Sequence, residues 1–279
     1  MQPGKIKNTI PTTEAIVRLY TVCATELPGD VREKLRKSLE KEESDTAKHI
    51  LKTILENTDL AKKESKPICQ DTGTPVFYIS IDNTLPLDEI KKHIEAATKQ
   101  ATEKIPLRPN ATDPITGTNT GNKPIIHIEQ SDQFKIDLLM KGGGSENISA
   151  IYSLPDTKLN ANRDIEGIKR CVLDAVFHAQ GKGCPPYIIG IAIGGNIEQV
   201  AHLSKKQLLR NLNDRSKDEQ LNKLETELLE NINKLKIGPM GLGGKTTALS
   251  VKIAKTHRHP ASYFIGISFS CWALRRQSL

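Results

Sequence analysis

Apolar residues in this 279-residue chain follow two rhythms that take turns along its length. Short runs at 75–81, 124–129, 134–140, 187–193, 247–254 and 263–270 read as strands, and several alternate apolar with polar positions. Such alternation belongs to strands with one face on a core, so part of the sheet is expected to be antiparallel or open on one side. Between the runs lie segments of helical period. Ile16, Leu19, Tyr20 and Cys23 share a face of a helix over 12–27, with Thr12 or Thr13 as its cap. A charged helical stretch over 30–60 is expected to break near Glu43-Ser44-Asp45, and a further helix starts at Leu87 and ends before Pro106. Ile165, Ile168, Val172, Val176 and Ala179 line one face of a helix over 164–180, which Gly181 would close. The last runs from Ser204 towards Leu235, with an apolar stripe through Leu221, Leu224, Leu228 and Ile232, and Gly238-Pro239 stops it. The two rhythms predict a mixed α/β (α+β) fold. Helices would pack on a mixed, partly antiparallel β-sheet in a single large domain over 1–279. No internal repeat or low-complexity linker is visible.

A hydrophobic fraction of 37% with 26% charged residues excludes wholesale disorder. No apolar run approaches the roughly 20 residues that span a bilayer. The opening Met-Gln-Pro-Gly-Lys-Ile-Lys lacks the apolar core of a signal peptide, so a cytoplasmic chain without a membrane partner is expected. Lys and Arg exceed Asp and Glu by 40 to 33, a net charge of +7. The two signs are interleaved over 32–66 and 204–236, as on solvated helix faces. Aromatic residues are 4% of the chain, too few for an obvious base-stacking platform, and no nucleic-acid partner is expected.

Five cysteines in such a chain are not expected to form disulfides. Cys23 and Cys171 fall inside helical registers and read as core. Cys69, Cys184 and Cys271 each lie where a loop meets a β-like run. Three loop-end thiolates could hold a zinc, or three irons of a four-iron cluster whose fourth iron stays open; scattered thiols are the plainer alternative. No Cys-x-x-Cys is present, which excludes a zinc ribbon or a ferredoxin run.

Gly238–Thr246 resembles a Walker loop, but it has one residue too many and leads into a β-like run, so a nucleotide-binding role is rejected. At Lys141-Gly142-Gly143-Gly144-Ser145, three glycines after a strand would let backbone N–H groups approach an anion, or would simply turn the chain. His257 and His259 precede the run that ends at Cys271, as a proton carrier, a ligand or a surface loop. Asp71 travels with Cys69, either as an acid/base group or as an Asx turn before Gly73.

The strings Ile68-Cys69-Gln70-Asp71-Thr72-Gly73, 141–147, Gly183-Cys184-Pro185-Pro186, 190–195, 241–245, His259-Pro260-Ala261-Ser262 and Cys271-Trp272-Ala273 with Arg275-Arg276 occur in one order. Together they resemble the class I, iron–sulfur-dependent fumarate hydratases and the related L(+)-tartrate dehydratases. The match is to the alpha subunit of the two-chain form, equivalent to the N-terminal domain of the one-chain form, and it covers about 12–276.

The resemblance implies that Cys69, Cys184 and Cys271 each ligate one iron of a [4Fe–4S] cluster whose fourth iron has no cysteine ligand. That iron would act as a Lewis acid on a C4 dicarboxylate substrate. Gln70 and Asp71 would contact the substrate, with Asp71 paired to His259 in proton transfer. Arg108 would clamp one carboxylate in a bidentate fork, and backbone N–H groups at Gly143 and Gly144 would hold the other side. The one-chain enzymes continue for roughly another domain's length. This chain is therefore expected to need a beta subunit, in an α2β2 assembly, for the rest of the pocket and the C3 base. The implied reaction is reversible hydration of fumarate to L-malate, a step of the tricarboxylic acid cycle. The alternatives are L(+)-tartrate dehydration to oxaloacetate, a non-catalytic iron–sulfur protein, or a three-thiolate zinc protein.

Overall fold

The computed structural model describes residues 10–82 and 85–279; the opening residues 1–7, read above for a leader, lie outside them. The helices are α1 (Thr13–Thr25), α2 (Gly29–Lys41), α3 (Asp45–Glu64), α4 (Leu87–Lys104), α5 (Gly143–Asn147), α6 (Ile165–Ala179), α7 (Ile197–Lys206) and α8 (Glu219–Lys234). The strands are β1 (Thr74–Ile81), β2 (Ile125–Gln130), β3 (Lys135–Lys141), β4 (Ala150–Ser153), β5 (Tyr187–Ile193), β6 (Ala248–Lys255), β7 (Phe264–Ser270) and β8 (Arg275–Ser278). The mixed α/β class expected from the two rhythms is the class observed. No helix among the described residues is long and apolar enough to cross a membrane.

Local chemistry sets the boundaries. Thr12 Oγ1 accepts from Ala15 N–H at the start of α1, and Asp164 Oδ1 accepts from Gly167 N–H at the start of α6. The expected helix from Ser204 to Leu235 is instead two. α7 ends at Lys206, a one-turn 3-10 helix covers Gln207–Leu209, and Asp218 caps α8 through the N–H groups of Gln220 and Leu221. The break falls on Asn211, Asn213 and Asp214, whose short polar side chains compete for backbone groups. α6 is closed by Gln180, with φ +44°, rather than by Gly181. Gly181 is small for another reason, since a Cβ there would sit 2.9 Å from the Met240 carbonyl oxygen.

The residues divide into two compact units. The first holds 10–26, 61–141 and 275–279, with a sheet of order β2-β1-β3-β8. β1 runs parallel to β2 and antiparallel to β3, and β3 runs antiparallel to β8. Its core joins Ile16, Leu19, Tyr20 and Cys23 of α1 to Ile90, Ile94 and Ala97 of α4 and to Phe77, Ile79 and Leu138 of the sheet. The second unit holds 27–60 and 142–274, with a sheet of order β4-β7-β5-β6. There β5 runs parallel to β6 and antiparallel to β7, and β7 antiparallel to β4. β5 is buried along its whole length, between the apolar faces of α6 and α8 and the other strands. Each fully buried Leu, Ile or Phe in these cores contributes about 1.5–3 kcal/mol.

Candidate active site

In the first unit the loop before β1 is tied from several directions. Ile68 N–H donates to the Ala24 carbonyl at the end of α1 (3.0 Å). The Thr72 hydroxyl, buried, accepts from Arg108 N–H (3.1 Å) and from the Asn110 side-chain amide (3.3 Å), which also donates to the Gly73 carbonyl (3.0 Å). Gly73 has φ +82°, and a Cβ there would meet the Met140 carbonyl carbon at 2.9 Å, so only glycine fits between this loop and β3. Asp71 Oδ1 accepts from Gly73 N–H (3.1 Å), so the Asx turn expected as one alternative is formed. One face of this loop opens on a cleft of ≈ 450 Å³ lined by Lys66, Cys69, Gln70, Thr72, Pro106 and Arg108. Cys69, Gln70 and Arg108 are thus brought to one cavity.

The same end of the sheet collects positive charge. Thr74 is paired with Lys141, and Met140 with Arg275, so the end of β3 lies between the start of β1 and the start of β8. Arg275 is 1% exposed and donates through Nη1 to the Asp71 carbonyl, while its Nε has no hydrogen-bond partner among the described residues. Lys141 is buried as well. Both fall in strings quoted from the sequence but were given no role there, although each is a cation closing or opening an apolar segment, and Asn110 was missed with them.

In the second unit the loop between α6 and β5 carries Cys184 with φ +57°, ahead of a Pro185-Pro186 cis peptide. Its carbonyl accepts from Trp272 N–H (3.2 Å). Because β5 and β7 are antiparallel, with Ile188 opposite Ser270, Cys184 and Cys271 fall at the same end of one sheet. The Tyr187 hydroxyl closes the loop, donating to the Gln180 carbonyl (2.6 Å) and accepting from Gly183 N–H (3.2 Å), and burial pushes it up to about 12. A Cβ on Gly144 would lie 3.8 Å from the Lys182 carbonyl oxygen, which brings the start of α5 beside this loop. The glycine stretch is the first turn of a short helix rather than a flexible turn. His259 lies elsewhere. It follows β6, whose Lys255 pairs with Ile193, so it sits at the opposite end of the sheet, about 20 Å away by strand rise. Its Nδ1 is held by Ala261 N–H (3.1 Å).

The five thiols are free and fall into two groups. Cys23 and Cys171 are fully buried in the two cores. Burial pushes the Cys23 thiol up to about 12, and burial with the nearby Asp156 and Asp174 carboxylates does the same to Cys171. Both are core residues, as read from their helical registers. Cys69, Cys184 and Cys271 are half-buried on loops. Among the described residues no three His, Cys, Asp or Glu side chains are grouped to hold one metal ion. A [4Fe–4S] cluster asks less of its ligands, since each thiolate bonds a different iron. Half-exposed thiols on strapped loops are the soft donor type that such clusters take.

The Walker-like segment 238–246 is occupied by the protein itself. Glu42, buried, accepts from Lys245 N–H (2.8 Å), and its Oε2 lies 2.9 Å from where a Gly244 Cβ would stand. Glu42 thus takes the backbone N–H that a Walker loop would offer to a phosphate, and the Lys245 side chain points to Glu43 instead.

A family model described as fumarate hydratase (Fumerase) matches residues 13–279. A Geobacillus stearothermophilus protein provisionally named fumarate hydratase class I is 42% identical over 274 residues, 94% of this chain and 53% of its own length. A Methanocaldococcus jannaschii protein provisionally named L(+)-tartrate dehydratase subunit alpha is 42% identical over 276 residues, 95% of each chain. The L(+)-tartrate dehydratase subunit alpha of Escherichia coli (strain K12) is 32% identical over 278 residues, 96% of this chain and 89% of its own. The chain thus spans about half the length of the first relative and most of the other two. A match over nearly all its residues makes this chain a member of the fumarate hydratase (Fumerase) family.

Proposed function

We propose that this chain is the cluster-bearing alpha subunit of a [4Fe–4S] hydro-lyase that interconverts fumarate and L-malate in the cytoplasm. The observation that carries the reading is the cleft of the first unit, where a half-buried thiol, an amide and a guanidinium (Cys69, Gln70 and Arg108) share one cavity. Asp71 follows directly in the same strapped loop. Cys69, Cys184 and Cys271 would be the cluster's cysteine ligands, with one iron left without one. When bound, the cluster supplies a Lewis-acidic iron that draws charge from the C–O bond without redox change.

The chain's own residues do the rest. Arg108 presents a planar fork to one substrate carboxylate, and the N–H groups of Gly143 and Gly144 face the other. Gln70 fixes the bound dicarboxylate by hydrogen bonding. Asp71, its backbone held by Arg275, moves the proton at the leaving hydroxyl. His259 is its proposed proton partner. The beta subunit, in an α2β2 assembly, would supply the C3 base and close the pocket. L(+)-tartrate is the second reading, favoured because the relatives of matching length carry that name.

Anaerobic purification with reconstitution tests this. Iron and acid-labile sulfide should each approach about four per chain, and fumarate hydration should appear only after a beta chain is added. Turnover of tartrate in place of fumarate would establish the second reading. Zinc without sulfide, or full turnover by the single chain, would overturn the proposal.

A further inference from the structure

The second unit carries a surplus of cations that the reaction does not use. Lys34, Lys37 and Lys41 lie on one face of α2, one and two turns apart. They line an open cleft of ≈ 550 Å³ with Lys245 and Thr246, and Lys34 also lines an adjoining cleft of ≈ 450 Å³ with Arg215 and Lys252. The two clefts share Leu229 and Leu249, and most of the remaining lining is polar or charged.

The carboxylates that pair with these cations are already engaged. Asp214 takes Arg210 (2.9 Å) and the 3%-exposed Lys252 (2.7 Å). Glu225 takes Arg210 (2.7 Å) and the Ile253 N–H (2.8 Å). Glu33 is bound to Lys37, and Glu43 to Lys245. Lys34, Lys41 and Arg215 are left with no side-chain hydrogen bond or ion pair among the described residues. Lys34 is half-buried, and its ammonium is pushed below its ordinary value by burial first and then by the charges of Lys252 and Lys37. Like charges held together in a groove repel, and a bound anion relieves that repulsion.

We propose that this double cleft is a binding site for the phosphate chain of a small oligophosphate, separate from the dicarboxylate site. Lys34 and Lys41 stand about 10 Å apart along the helix, a span suited to linked phosphoryl groups rather than to a single carboxylate. Lysines act there as point charges for phosphate.

Calorimetric titration of the full chain with inorganic tripolyphosphate tests the site. Saturable binding at one per chain is expected, weakened at least tenfold by Lys34→Gln and by Arg215→Gln, and unchanged by Lys52→Gln on the exposed face of α3. Thermal unfolding of each variant separates lost binding from lost fold. A nucleoside triphosphate arm identifies the source: equal affinity means the phosphate chain alone is read, and tighter binding means a nucleotide. Equal weakening by Lys52→Gln, no saturation, succinate competing as well as tripolyphosphate, or an oligonucleotide binding tighter than either phosphate would overturn the proposal.

Discussion

The two units follow one plan, read first in one and then in the other. Each has a helix carrying a buried cysteine, Cys23 in α1 and Cys171 in α6, ahead of a loop carrying a half-buried one, Cys69 and Cys184. A central strand follows, then a helical crossover to a parallel neighbour, then an antiparallel strand on the other side: β2-β1-β3 in one and β6-β5-β7 in the other. The fourth strands are exchanged. β4 follows β3 along the chain but pairs with β7, and β8 follows β7 but pairs with β3. The difference lies just after the third strand of each set. Cys271 stands there after β7, and Gly142 after β3. Three of these four loop positions thus carry a thiol and the fourth a glycine.

The sharpest way to break this comparison is to exchange the cysteines for serine. Cys69→Ser, Cys184→Ser and Cys271→Ser should each strip iron and sulfide and bring hydration to background. Cys23→Ser and Cys171→Ser should keep the cluster and cost about 1–3 kcal/mol of stability, the price of a hydroxyl in an apolar site. Iron analysis with denaturant unfolding checks both, and loss of iron from Cys171→Ser alongside its retention in Cys184→Ser would sink the assignment.

Removing residues 275–278 tests the exchange of strands. The change deletes the ladder Asp137–Met140 makes with β8, together with the Arg275 contact to Asp71. Amide protection in β1 and β3 should fall sharply while β5 and β7 keep theirs, by native-state hydrogen exchange. Equal loss in both sheets would mean that the units do not unfold separately.

The smallest expected effect is on acid stability and belongs to the second unit. Burial alone raises the Asp214 carboxyl, but hydrogen bonds from Arg210 and Lys252 more than reverse this and hold it below the usual carboxylate range. A depressed carboxyl adds stability that is whole above its unfolded pKa and is lost as pH falls through the folded value. Asp214→Asn should therefore flatten the acid limb of the melting temperature below about pH 4 and leave the first unit's protection unchanged. A limb as steep as in the parent would place its cause elsewhere.

Much of the fold was legible because most elements are long enough to show a period. The α1 face through Ile16, Leu19, Tyr20 and Cys23, and the β5 run, are cases where pattern and burial agree. What escaped was short or non-local. β4 and β8 have four residues each, too few to show an alternation, and α5 opens on glycines that read as a turn. The duplication was invisible because it survives in strand order, which the sequence carries only through pairings between distant residues. At the site, the split between core and loop cysteines could be read from their contexts. Lys141 and Arg275 could not, since the register that sets them beside the Asp71 loop is a property of the sheet.

The exchange of strands has a consequence in time. β1, β2 and β3 are synthesised early, yet β3 keeps one edge unpaired until β8 leaves the ribosome. At about 5–20 residues per second that wait is on the order of ten seconds. An unpaired edge is an invitation to other strands, so a nascent chain of this kind has reason to be held by a chaperone. The half of the molecule that is made first is the half that is finished last.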